Sequence, residues 1–166
     1  KGEGQAVVTT EEELDVFLSP KLLLTYRDGP IQEVGHIHQM LANGMTMRPG
    51  TDGLLYEIVD RTVDALLPGV EGIGNRLDDI HDLVLEDPGN NRCHDIVSLR
   101  AHAGRVRRLL TPELAVVQRL SRGEFPQVSE HNRVYYRDIY DHLVRIDLAL
   151  ENLREESGED TALQIE

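Results

Sequence analysis

Two hydrophobic rhythms run along the chain, and the first is short. Leu14, Val16 and Leu18 recur at every second residue, and Leu22-Leu23-Leu24-Thr25-Tyr26 follows a turn at Ser19-Pro20-Lys21. A period of two sends alternate side chains to opposite faces of a strand, and Asp28-Gly29-Pro30 closes the second run, so the pattern predicts a β hairpin. Ala6 to Val8 upstream is a weaker apolar run. Two or three strands cannot hide both faces, so the hairpin needs helices against one side or a sheet continued in sequence before Lys1. The abrupt, glycine-flanked start favours the second.

From Pro30 the period lengthens. Ile31, Val34, Ile37, His38 and Leu41 fall on helical spacing before Asn43-Gly44 stops them, and Pro30 suits a first helical turn. Met45 to Gly50 reads as a loop, and Thr51 or Asp52 is placed to cap a far longer helix. That helix is predicted from Gly53 to Leu85, on a stripe that includes Leu55, Ile58, Val63, Leu66, Val70, Ile73, Leu77, Ile80 and Val84. Pro68 and the glycines at 69, 72 and 74 interrupt it. An interior glycine costs about 1 kcal/mol and a proline about 3, whereas each buried Leu or Ile returns roughly 1.5 to 3. The stripe wins, with a bend near Pro68.

Glu86 to Asn91 reads as a reversal, and a second long helix returns through Ile96, Leu99, Ala103, Val106, Leu110, Val117 and Leu120, with a kink predicted at Pro112. Ser121 to Ser129, holding Gly123 and Pro126, is a second reversal. The last helix opens on Tyr135-Tyr136-Arg137-Asp138-Ile139-Tyr140-Asp141-His142. Its apolar positions, Tyr136, Ile139, Leu143, Ile146, Leu150 and Leu153, step by 3, 4, 3, 4 and 3, the coiled-coil spacing of a seam that packs lengthwise against a neighbouring helix. Short loops make such helices antiparallel neighbours. The expected fold is α+β and predominantly helical, with a partial α/β domain over 1–50 and a long-helix bundle over 51–166.

Composition narrows the functions. The 166 residues suffice for a proper core, and 40% hydrophobic content with only 4% aromatics points to an interior of Leu, Val and Ile. Thirty acidic residues against 17 basic give a formal charge of −13, a field that repels phosphate backbones and argues against nucleic-acid partners. The same excess attracts hard divalent cations, although it also serves simple solubility. Cys93 stands alone, so neither an internal disulfide nor a multi-thiolate zinc site is available, which suits a reducing compartment. No signal peptide is recognisable, and no apolar run approaches the roughly 20 residues that cross a bilayer.

The candidate chemistry is carboxylate chemistry. Asp138 and His142 stand one helical turn apart, as do Arg137 with Asp141 and Asp141 with Arg145, so this turn either holds a cation or neutralises itself. Asp141, bracketed by arginines, reads as structural, and magnesium disfavours imidazole, which leaves His142 a partly buried structural residue unless the ion is zinc or cobalt. Asp78, Asp79, Asp82, Glu86 and Asp87, with His81 among them, read as a solvated acidic face. His36 and His38 would share a face only in a strand, and Cys93 reads as a small packing residue. Phosphate loops, nucleophile elbows and paired His-Glu zinc motifs are missing, which makes an enzyme an unfavoured reading.

Several stretches, in order, resemble the cytosolic part of CorA-type divalent cation transporters. Leu22 to Tyr26 with Asp28-Gly29-Pro30 is similar to that family's last strand, and Gly53-Leu54-Leu55-Tyr56-Glu57-Ile58 and Asn75-Arg76-Leu77-Asp78-Asp79-Ile80 to its first long helix. Arg107-Arg108-Leu109-Leu110-Thr111-Pro112 resembles the returning helix. Tyr136-Arg137-Asp138-Ile139-Tyr140-Asp141-His142, followed by Arg145-Ile146 and Leu150 to Glu155, resembles the stalk helix and is the most specific of these. The family's two membrane spans, its Gly-Met-Asn signature and the amino-terminal half of its α/β domain do not appear between Lys1 and Glu166.

The resemblance implies a soluble cytosolic piece of an inner-membrane protein, unable to conduct an ion by itself and attached to the membrane only through spans beyond it. It also implies a homopentamer whose stalk helices line a funnel, with magnesium bound between adjacent subunits as a regulatory ion, and cobalt or zinc as alternatives. Asp138 corresponds to the stalk acid in that metal site, with Asp141 the second candidate. The partner carboxylate comes from the neighbouring subunit at or before Lys1, where Glu3 is a weak candidate. A zinc-transporting ZntB branch is left open by the histidines and by the acid-poor end near Thr161-Ala162-Leu163. The rival from another class is a PhoU-like helical scaffold that holds a partner protein along its seam.

Overall fold

The computed structural model describes residues 12–87 and 92–163. Ala6 to Val8, Glu3 and most of the first reversal therefore lie outside the described residues. β1 (Leu14–Leu18) pairs antiparallel with β2 (Leu23–Arg27), with Leu14 opposite Arg27 and Phe17 opposite Leu24. The side chain and backbone of Ser19 close the turn on Leu22. α1 (Gln32–Ala42), α2 (Thr51–Asp64), α3 (Leu67–Glu86), α4 (Cys93–Ser121) and α5 (Glu130–Leu163) follow. The mainly helical α+β expectation holds.

Among the described residues the fold gathers into two compact units. One holds the chain up to Ala65 together with Ala115–His142, and the other holds Leu66–Leu114 together with the chain from Leu143 onward. In the first, the hairpin lays Leu14 and Leu23 against Ile31, Val34, Ile37 and Ile58 of the α1 and α2 region. Helices thus cover one face of the sheet, while Phe17, Leu24 and Tyr26 on the other face remain 53–63% exposed. In the second, Val70, Ile73, Leu77 and Ile80 of α3, Ile96, Ala103 and Leu110 of α4, and Leu143, Ile146 and Leu150 of α5 form the buried rows.

The predicted helix from Gly53 to Leu85 is two helices, not one bent helix. A proline ring clashes with the carbonyl four residues earlier, which for Pro68 is Asp64, and α2 ends at Asp64. Ala65 and Leu66 carry the break, and Pro68 becomes part of the first turn of α3, where its missing N–H is no loss. Pro112, by contrast, sits within a continuous α4. On α1 the stripe is narrower than its spacing predicts, for His38 and Leu41 are exposed and only Val34 and Ile37 are buried.

Two helices end as the Asn43-Gly44 and Gly123 positions predict. Gly44 (φ 72°) and Gly123 (φ 70°) occupy left-handed backbone, and the next amides, of Met45 and Glu124, reach back to the carbonyls of Met40 and Arg119. That is a Schellman closure, in which glycine avoids the Cβ penalty. The seam of α5 is buried within its own chain: Tyr136, Ile139, Leu143, Ile146 and Leu150 are each 0–2% exposed.

Candidate functional site

The start of α5 is organised by a residue expected to cap α2. The structure gives the N-cap of α2 to Gly50, with no side-chain cap, and places Asp52 inside the first turn, buried and turned toward α5. Asp52 Oδ2 accepts hydrogen bonds from the Ser129 amide (2.8 Å), the Ser129 hydroxyl (2.7 Å) and Asn132 Nδ2 (2.9 Å). Its backbone carbonyl accepts from the Tyr136 hydroxyl at 2.7 Å. Burial by itself raises a carboxyl pKa, but the Ser129 and Asn132 donors outweigh it and hold Asp52 below its ordinary value. Burial also pushes the Tyr136 hydroxyl well above its ordinary range.

Arg48 closes the same corner. Its guanidinium lies 3.6 Å from the ring centre of Tyr135 and 4.7 Å from that of Tyr56, with Glu57 at 3.6 Å. Tyr56 packs edge-on against Tyr136. The approach of loop to helix is close: a Cβ on Gly53 would lie 2.8–2.9 Å from Arg48 Cβ and its backbone carbonyl, so only glycine fits there.

Contacts then advance together along both helices. Asp52 meets Asn132 and Tyr136, Tyr56 meets Tyr135, and Asp64 Oδ1 lies 3.6 Å from His142 Nδ1. α2 and the first turns of α5 therefore run side by side in the same direction. Glu57, Asp60 and Asp64 bring acid to this flank, and Asp60 is raised above its ordinary pKa by burial first and by Asp64 next.

With Tyr136 and Ile139 inward, helix geometry decides where the predicted site residues go. Two residues beyond Tyr136 is a rotation of about 200°, so Asp138 emerges on the opposite side, and Asp141 follows on the same outer face, about 60° away. Both are exposed. His142, between the two faces, is half-buried against Asp64. The acidic residues Asp78, Asp79, Asp82, Glu86 and Asp87 are all exposed, as a solvated face should be, and Cys93 is half-buried.

Among the described residues no three His, Cys, Asp or Glu side chains gather closely enough to hold a metal ion. Asp138 and Asp141 lie at the surface of α5. No helix among the described residues is long and apolar enough to cross a membrane.

Spacing alone missed Asp52, Ser129, Asn132 and Arg48. One signal was present: Asn132 continues the seam backwards from Tyr136 by a step of 4, and a polar residue on an apolar seam calls for a buried partner.

This two-stranded hairpin followed by long helices is a fold seen in solved transporter structures. A structure described as full-length CmaX superposes with a TM-score of 0.82 at 23% identity, covering 93% of this chain and 48% of that one. The soluble domain of CorA from Methanocaldococcus jannaschii superposes at 0.71 with 16% identity, covering 95% and 71%. A family profile, the CorA-like Mg2+ transporter protein, matches residues 2–159. The chain belongs to this family. Its relatives include a protein named putative metal ion transporter YfjQ of Bacillus subtilis, 24% identical over 145 residues, covering 87% of this chain and 46% of that protein. Another is the cobalt/magnesium transport protein CorA of Thermotoga maritima, 24% identical over 146 residues, covering 87% and 42%. The chain spans a little under half the length of these curated relatives.

Proposed function

We propose that this chain is the metal-sensing, gating part of a divalent cation transporter of the magnesium and cobalt class, with Asp138 as the ligand it presents to a sister subunit and Asp141 beside it. The supporting observation is the outward aim of Asp138 from a helix whose phase is fixed by the buried Tyr136 and Ile139. Opposed carboxylates across a subunit boundary repel one another, and a hydrated magnesium between them converts that repulsion into attraction. Because the cation binds the tight arrangement better, it shifts the population toward it. In this reading the full protein is a homopentamer at the cytoplasmic face of the membrane, and the chain works by binding rather than by catalysis.

The half-buried His142, 3.6 Å from Asp64 and one turn from Asp138, favours a second ion. Zinc or cobalt accepts imidazole where magnesium does not, so a zinc-transporting variant of the same role is the alternative reading.

The test is a thermal melt with magnesium or with chelator. A ligand at ten times its Kd adds about 1.4 kcal/mol, about 3 to 5 °C for a chain of this size. Asp138→Asn should remove most of that shift. Identical melting and sedimentation with and without magnesium would overturn the sensing role, and a response to zinc alone, lost in His142→Ala, would transfer it to the second ion.

A further inference from the structure

Adjacent residues at the start of α2 reach in opposite directions. Thr51 Oγ1 donates to the Ser19 carbonyl in the hairpin turn at 2.6 Å, whereas Asp52 carries the bonds to α5 described above. Asp52 is 6% exposed, Asn132 1% and Tyr136 0%. A carboxylate only accepts, so Asn132 must aim its Nδ2 at Asp52, and its Oδ1 is left buried with no hydrogen-bond partner among the described residues.

An N-cap side chain ordinarily belongs to the helix it caps. Here the first free amide of α5 and the positive end of its dipole are met by a carboxylate from another helix. The difference matters mechanically. A helix capped by its own residue can slide or turn and carry its cap along, whereas α5 cannot move against α2 without breaking bonds at Ser129, Asn132 and Tyr136 together. Sliding the chain by one residue turns a helix about 100°, enough to carry Asp138 off its outer face.

We propose that Asp52 is a positioning residue for Asp138. Through Thr51 it also joins the hairpin turn to the first turns of α5, so that the setting of the outward carboxylate is fixed from the hairpin side. The use of that carboxylate rests on the metal reading above, but the positioning itself does not.

Hydrogen exchange of the full chain, read by mass spectrometry, separates the two. In Asp52→Asn, exchange should quicken by ~10-fold through Val134 to Leu143, past Asp138, since the loss of a shared anchor releases a whole segment rather than one turn. Quickening confined to Glu130 to Arg133 would make Asp52 a local cap and overturn the proposal. Ser129→Ala, which keeps Asp52 and its bond to the amide, should give the same pattern more weakly and serves if Asp52→Asn does not fold.

A magnesium titration is the second arm. Asp52→Asn should raise the half-saturating concentration several-fold, and adding it to Asp138→Asn should change nothing further. An unchanged titration in Asp52→Asn would overturn the positioning role. A wild-type chain that ignores magnesium would sink the metal reading alone, with the exchange map still deciding the role of Asp52.

Discussion

α5 is held by carboxylates at two places, and they work differently. Near its start the buried Asp52 is answered by neutral donors, a backbone amide, a hydroxyl and an amide group. Further along, Arg107 of α4 meets Asp147 at 2.8 Å and also Glu151, which Arg154 approaches in turn. The Arg107, Asp147 and Glu151 side chains are 23–33% exposed. A charge pair within reach of water is screened by salt and contributes little, whereas a buried carboxylate stripped of its donors has nothing to replace them. The first arrangement specifies a setting, and the second tolerates variation.

Asp52→Ala should therefore be the most damaging change, leaving the buried Asn132 amide without its acceptor and the Ser129 donors to water, at a cost of about 3 kcal/mol, read by urea unfolding. The same group gives a pH signature. Its folded-state pKa lies below the ordinary 3.8, so the unfolded chain takes up the proton first as pH falls. The Asp52 contribution is complete above the ordinary carboxyl range and disappears below it, and acid unfolding should be steeper in the wild type than in Asp52→Asn. Asp60, eight residues along the same helix, has the opposite sign: its raised pKa means that protonation helps the fold, and Asp60→Asn should stabilise slightly at neutral pH.

Tyr136→Phe comes next. It removes one hydroxyl bond to the Asp52 carbonyl but keeps the buried ring, and about 1 kcal/mol should be lost in the same unfolding assay. Asp147→Asn should show the smallest effect, detectable at low ionic strength and erased by high salt. A loss at Asp147 as large as that at Asp52, and insensitive to salt, would break the comparison.

The elements were largely legible before any coordinates. Hairpin, short helix, long helices and the buried seam from Tyr136 to Leu150 all follow from period and punctuation, because burial acts on every turn and leaves a repeating trace. The bend expected near Pro68 is instead a break at Ala65–Leu66, because a proline acts on the carbonyl four positions before it. The outer position of Asp138 and Asp141 follows from the same period that buries Tyr136. The role of Asp52 was not legible, since an aspartate at a helix start reads as its own cap, and its real partners lie 77 and 80 residues away. Local rules see only neighbours in sequence, and buried polar networks join residues that are neighbours only in space.

The uncovered side of the hairpin bears on the bench. Phe17, Leu24 and Tyr26 present a native apolar strip to water, and strips of this kind take up hydrophobic dyes and adhere to surfaces. Dye-reported melts of this chain would begin from a bright baseline with a muted rise, so ellipticity at the helix band is the sounder signal for every comparison of variants.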